Sequence, residues 1–118
     1  VEDDPQVRSA ARRVLESAGF RITEVASAEA AVAHLTGGGL PDVILTDLVL
    51  EDMGGYDLME RAAESWPDIP LVVMSGYAHG SPGRKGLPAD MPFVQKPFTP
   101  SGLVSTIREA LGRRAEEG

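Results

Sequence analysis

Two short stretches of this chain are apolar at nearly every position: Val43-Ile44-Leu45, inside DVILTD at 42–47, and IPLVVM at 69–74. A strand with one wet face alternates polar and apolar residues, because successive side chains point to opposite sides of the sheet. Unbroken runs of Val, Ile and Leu belong instead to strands buried on both faces, as in a parallel sheet covered by helices. Parallel neighbours cannot be joined by a hairpin and need long crossover connections. This one feature therefore asks for helices between the runs and for layers on both sides of a sheet.

The remaining sequence supplies them. Val7, Ala10, Ala11, Val14, Leu15 and Ala18 recur at helical spacing. Asp4 is a good N-cap, Pro5 suits the first helical position, and Gly19 closes the helix. FRITEV, at 20–25, alternates like a strand. Ser27 can cap a second helix with Ala28, Ala31, Val32 and Leu35 inward, stopped by the glycines at 37–39. A third helix is predicted over about 56–65, with Leu58, Met59, Ala62 and Ala63 on one face. A short strand follows at 92–95. Thr99 then caps a last helix from Pro100, burying Leu103, Val104, Ile107 and Leu111. The segment 78–91 breaks the rhythm, since Gly costs about 1 kcal/mol and Pro about 3 kcal/mol in a helix interior. A loop or at most one short turn is expected where a crossover helix belongs.

Composition narrows the function classes. The chain has 118 residues, a formal charge of −7 and no Cys. It reads as one domain over 1–118, without disulfides or thiolate metal sites. An acidic chain lacks the basic face of a nucleic-acid binder. Arg8, Arg12 and Arg13 read as a solvated helix face. No apolar run approaches the roughly 20 residues of a membrane span.

In open parallel sheets the chemistry lies at the carboxyl ends of the strands. Asp47 ends the first apolar run, Ser75 follows the second, and Lys96 follows FVQ. Glu2 and Asp3 would follow a strand ending at Val1. Clustered carboxylates repel one another unless a cation offsets them. Their hard oxygens suit Mg2+, with Asp3 and Asp47 as direct ligands and Glu2 acting through water. An Asp can form an aspartyl phosphate. Lys96 and the metal would neutralise charge on a transferring phosphoryl group, and Ser75 could hydrogen-bond one of its oxygens.

Taken in order, the acidic pair in VEDDP, Asp47 in VILTDLVLEDMGG, Ser75 in VVMSG and Lys96-Pro97 in FVQKPF resemble a response-regulator receiver domain of two-component signalling. The MSGY pattern is similar to receivers of hybrid sensor histidine kinases and to single-domain response regulators of that branch. The resemblance implies a flavodoxin-like, doubly wound α/β fold with strand order 2-1-3-4-5, its first strand largely absent from the chain and its fourth helix short or degraded. It implies phosphorylation of Asp47 from a phosphohistidine, dependent on Mg2+. Glu2, Asp3, Asp47 and the Val49 carbonyl would be the metal ligands. Ser75 and Phe93 would be the switch pair, Lys96 the partner of the phosphoryl group, and Lys96–Pro97 commonly a cis bond. The implied partners are a sensor histidine kinase or phosphotransfer protein and, for some members, a second copy. Nucleic acid and membrane are not among them, and the location implied is cytoplasmic. Such a domain catalyses only its own phosphorylation and dephosphorylation. Glu51 stands where the family usually has proline, and Gly76-Tyr77 follows the switch position. The apolar Val49 beside Tyr77 leads us to expect a long-lived phosphoryl group.

Two other functions remain open to this sequence. A phosphorylation-independent interaction module would dock partners without chemistry, although degenerate receivers typically lose one of the four motifs. A Mg2+-dependent phosphohydrolase would need a second acid close after Asp47, where Leu48 and Val49 stand. His34 and His79 lack partner patterns, and Trp66 reads as a staple for the third helix. The abrupt start at Val1 leads to one more expectation: roughly four to six apolar residues, a usual strand length, precede it.

Overall fold

The computed structural model describes residues 1–48, 55–75 and 92–117. Helices α1 (Pro5–Ser17), α2 (Ala28–Thr36), α3 (Gly55–Ser65) and α4 (Pro100–Glu117) surround strands β1 (Ile44–Asp47), β2 (Leu71–Ser75) and β3 (Phe93–Gln95). The strands form one parallel sheet in the order β1-β2-β3, with Asp47 opposite Met74 and Ser75 opposite Gln95.

Both faces of this sheet are covered, as the unbroken apolar runs require. Val72, Met74 and Val94 pack against Ala11 and Leu15 of α1 and against Leu103, Ile107 and Ala110 of α4. On the opposite face Ile44 meets Leu35 of α2 and Ala62 of α3, with Trp66 and Leu71 closing the edge. Neighbouring residues of β1 and β2 therefore serve different layers. This is the doubly wound arrangement anticipated from the sequence.

Local chemistry sets the helix ends. The Asp4 carboxylate accepts from the N–H groups of Gln6 at 2.9 Å and Val7 at 3.4 Å, with Pro5 opening α1. Ser27 Oγ accepts from Ala30 N–H, and Thr99 Oγ1 from Gly102 N–H, both at 3.0 Å. Gly19 ends the α1 turn at φ +97°, a conformation that costs a residue with a Cβ. In α3, Leu58 and Ala62 are buried as anticipated, but Ala63 is exposed. It lies one residue too far round the helix to meet the sheet.

The strand expected at 20–25 is not formed: the segment carries no ladder among the described residues. The Val1 nitrogen donates to the Leu45 carbonyl at 2.6 Å, the Val1 carbonyl accepts from Asp47 N–H at 2.9 Å, and Glu2 N–H reaches the Val25 carbonyl at 3.2 Å. Beyond that contact a cavity of about 900 Å³ lies between residues 20–25 and 43–45. The anticipated order 2-1-3-4-5 thus survives as its last three strands, with Val1 and Val25 marking the place of the first two. Val49, Glu51, Gly76, Tyr77, His79 and the segment 78–91 lie outside the described residues.

Candidate functional site

The carboxyl edge of the sheet gathers the chemistry. Asp47 ends β1, and its N–H is tied to Val1. Ser75 ends β2, and its carbonyl accepts from Lys96 N–H at 2.7 Å. That bond holds the chain leaving β3 beside β2, so Lys96 begins from the same edge. The Lys96–Pro97 bond is cis. Glu2 and Asp3 reach the edge from the other side, between Val1 and the cap of α1.

One oxygen from each of Glu2, Asp3 and Asp47 lies within 4.8 Å of the others. Lys96 Nζ joins two of them, at 2.8 Å from Glu2 Oε2 and 3.2 Å from Asp47 Oδ2. Glu2 is almost fully buried, at 2% exposure, and Asp47 is at 7%. Buried carboxylates need hydrogen bonds as well as charge. Glu2 receives both, because its Oε1 accepts from Asp4 N–H at 3.1 Å while Oε2 holds the ammonium.

Burial pushes the Glu2 carboxyl above the usual glutamate value, against the hydrogen bonds from Lys96 and Asp4 N–H that favour the anion. Lys96 is also raised. Burial works against its charge, but the hydrogen bond to Glu2 and the charges of Asp47 and Glu2 outweigh that loss. The two partners differ in their surroundings. Lys96 has two carboxylates favouring its charge, whereas Glu2 has one cation for it and the like charge of Asp47 against it, so desolvation decides the outcome for the carboxylate but not for the ammonium.

The donor set fits a hard divalent cation. It is all carboxylate oxygen, without nitrogen or sulfur, and Lys96 offsets only one of its negative charges. Of the residues singled out from sequence, the structure brings Glu2, Asp3, Asp47 and Lys96 into one cluster. Ser75 stands one residue beyond Met74, the partner of Asp47, and is 1% exposed. Phe93 opens β3 opposite Val73, two positions back from the Ser75–Gln95 pair. Val49 lies outside the described residues.

Sequence reasoning missed Arg8. It is not part of a solvated face, since its Nη1 donates to the Glu2 carbonyl at 2.9 Å and its side chain is 23% exposed. A single arginine six residues from an acidic pair carries no sequence signal of that contact.

Comparison with known proteins places the chain in a family. Residues 1–108 match the family described as response regulator receiver domain. The chain is 35% identical to sensor kinase CckA of Brucella abortus over 97% of its own length, which is 12% of that protein. It is 31% identical to the response regulator receiver protein CpdR of Brucella abortus, over 93% of this chain and 92% of CpdR. It spans about a quarter of the hydrogenase transcriptional regulatory protein HoxA of Cupriavidus necator (24%), at 30% identity. Among solved structures, a CheY-like receiver domain from Methanospirillum hungatei superposes with a TM-score of 0.85 at 28% identity, covering 99% of this chain and 94% of that one.

Proposed function

The chain belongs to the response regulator receiver domain family, and from that premise we propose that Asp47 accepts a phosphoryl group from a phosphohistidine donor, with Mg2+ held by Glu2, Asp3 and Asp47. The single observation that carries this reading is the Lys96 ammonium lying between Glu2 and Asp47, with the Asp3 carboxylate in the same cluster. An ordinary strand-end aspartate has neither a partly buried cation nor two further carboxylates around it.

The transfer breaks the N–P bond of the donor imidazole, which keeps the electron pair, and forms an O–P bond on Asp47. The residues divide that task. Asp47 offers a carboxylate oxygen at the end of a rigid, doubly covered strand, so its position is set before the donor arrives. Lys96 faces the same carboxylate and can move its charge onto the incoming phosphoryl oxygens. Bound Mg2+ would supply further neutralisation of charge on the phosphoryl group. Ser75 would donate its hydroxyl to a phosphoryl oxygen once one is present, and the place it vacates would admit Phe93. Added charge thus biases a two-state element.

The donor is a sensor histidine kinase or a phosphotransfer protein, and the domain acts in the cytoplasm. No helix among the described residues is long and apolar enough to cross a membrane. Intact-mass analysis after incubation with Mg2+ and a small phosphodonor tests the reading. One phosphoryl adduct is expected on the wild type and none on Asp47→Asn. An unmodified wild type, or an adduct that survives Asp47→Asn, refutes it.

A further inference from the structure

We propose that Arg8 is a positioning residue for the acidic pair: it fixes the peptide plane between Glu2 and Asp3 and so holds the Asp3 carboxylate where a divalent cation needs it.

The peptide group is planar, so the direction of a carbonyl sets where the next Cα stands. Arg8 Nη1 holds the Glu2 carbonyl at 2.9 Å. The atoms on the far side of that plane are the nitrogen and Cα of Asp3, from which the carboxylate departs. Glu2 is otherwise fixed through its N–H on Val25 and its carboxylate on Lys96 and Asp4 N–H. None of those bonds acts on the plane that leads to Asp3.

Arg8 is itself anchored. Its Nε lies 3.8 Å from Glu24 Oε1, and Glu24 also receives Arg12 Nη1 at 3.5 Å. Arg12 is in turn held at 2.9 Å by Glu16, one turn along α1. The guanidinium is a planar fork with fixed donor directions, so a contact to Glu24 on one edge aims the other edge at the Glu2 carbonyl. A chain of contacts thus runs from the outer face of α1 and from Glu24 to the acidic cluster.

Charge and position predict opposite signs here. Arg8 is a cation near a cation site, so charge alone makes its removal strengthen Mg2+ binding. Loss of position makes its removal weaken binding. Substitution of groups that orient metal ligands typically lowers metal affinity about 10- to 100-fold.

The test uses Arg8→Met, which keeps the side-chain stem but neither polar contact, with Arg8→Lys as the conservative partner. Calorimetric titration with Mg2+ should show at least about tenfold weaker binding for Arg8→Met, recovered in large part by Arg8→Lys. In the metal-free protein, the Asp3 amide, whose nitrogen belongs to the plane that Arg8 holds, should show an NMR order parameter well below its wild-type value in Arg8→Met, while the α4 amides keep theirs. Equal or tighter Mg2+ binding by Arg8→Met overturns the proposal, as does an unchanged order parameter at Asp3. If Arg8→Met does not fold, Glu24→Gln decides. It leaves Arg8 in place but without its anchor, and wild-type affinity in that variant overturns the proposal. The affinity arm rests on the magnesium reading above and the order-parameter arm does not. A wild type that binds no Mg2+ defeats that reading, and the Asp3 order parameter then decides the role of Arg8.

Discussion

Replacing Lys96 with Met should destabilise the metal-free domain by about 2–3 kcal/mol at neutral pH. The figure follows from where its partners sit. Lys96 Nζ contacts Glu2 at 2.8 Å and Asp47 at 3.2 Å, and the carboxylate it leaves behind on Glu2 is 3% exposed. Removing one member of a fully buried pair costs about 3–5 kcal/mol, because the other charge stays desolvated and unpaired. The Lys96 side chain is 21% exposed, so water reaches part of the vacated space and the cost falls to or below the bottom of that range. For a domain of this size the loss corresponds to about 10 °C in Tm. Urea unfolding followed by Trp66, the single tryptophan, reads it directly. A Glu2→Gln background separates charge from packing. There Lys96→Met should cost at least about 1 kcal/mol less, since no buried carboxylate is stranded. The pH dependence has a definite sign. Glu2 titrates above the usual glutamate value when folded, chiefly through burial. Its neutral form therefore adds stability that is complete below about pH 4.3, the ordinary glutamate value, and is lost as pH rises through the folded-state value. Without Lys96 that value moves further up, so the deficit of Lys96→Met should shrink on acidification and be largest at neutral pH. Added Mg2+ should recover part of it. A variant within about 0.5 kcal/mol of wild type at neutral pH, with no coupling to Glu2→Gln, refutes the reasoning.

Two further outcomes follow from other parts of the molecule. Mg2+ affinity should fall on acidification from a pH above the ordinary glutamate range, because burial favours a proton on Glu2 that the metal must displace. Calorimetry across that range checks this, and a flat profile down to about pH 4.3 contradicts it. In α4, Gly112→Ala should stabilise by about 0.5–1 kcal/mol, since a Cβ there meets nothing within 4 Å. Gly102→Ala should bring no such gain, because its Cβ would stand 2.7 Å from Thr99 Oγ1, the oxygen that caps the helix. Thermal unfolding of the two variants side by side decides, and equal stabilisation by both removes the argument from the cap.

What was legible in the sequence was what depends on short-range rules. The caps at Asp4, Ser27 and Thr99 were visible because each is a hydroxyl or carboxylate just before a helical pattern, and such a residue serves the first free N–H groups of its own chain. β1 and β2 were visible because a strand buried on both faces leaves no polar position to mislead. Glu2, Asp3, Asp47 and Lys96 could be placed together before any coordinates, because a parallel sheet sends its strand ends to one edge. Arg8 was not legible. Its contact with the Glu2 carbonyl depends on how α1 is tilted against Val25 and Glu24, and no spacing rule encodes a side chain reaching a main-chain oxygen six residues back. Ala63 failed for a smaller reason. A hydrophobic residue at the border of a helix face is inward or outward by a fraction of a turn.

The segment at 20–25 failed in a more instructive way. Its alternation holds over 20–23, where Phe20 and Ile22 pack against the α1–α4 cluster while Arg21 and Thr23 are exposed; Val25, on the opposite parity, packs against Ala28, Ala31 and Leu58 instead. Alternation specifies a face and does not specify a partner. The ladder bonds at Val1 follow the alternation of a parallel pair, two toward β1 and the next toward Val25. Ile44 and Leu48 direct their N–H groups to β2, and Asp47 directs its own to Val1. By the same alternation Leu45 turns its N–H away from β2, toward the cavity. That cavity, about 900 Å³, is lined by apolar residues of α1, of 20–25 and of β1 together with the charged Arg8, Arg12 and Glu24. Residues 20–25 thus have strand chemistry on their side chains and no strand on their main chain. These bonds reach the site, because the residue after Val1 is Glu2. Among the described residues, the hydrogen bonds to Glu2 other than through Val25 come from α1, its cap or Lys96, which is why the arginine of α1 matters more here than its place on a helix surface suggests.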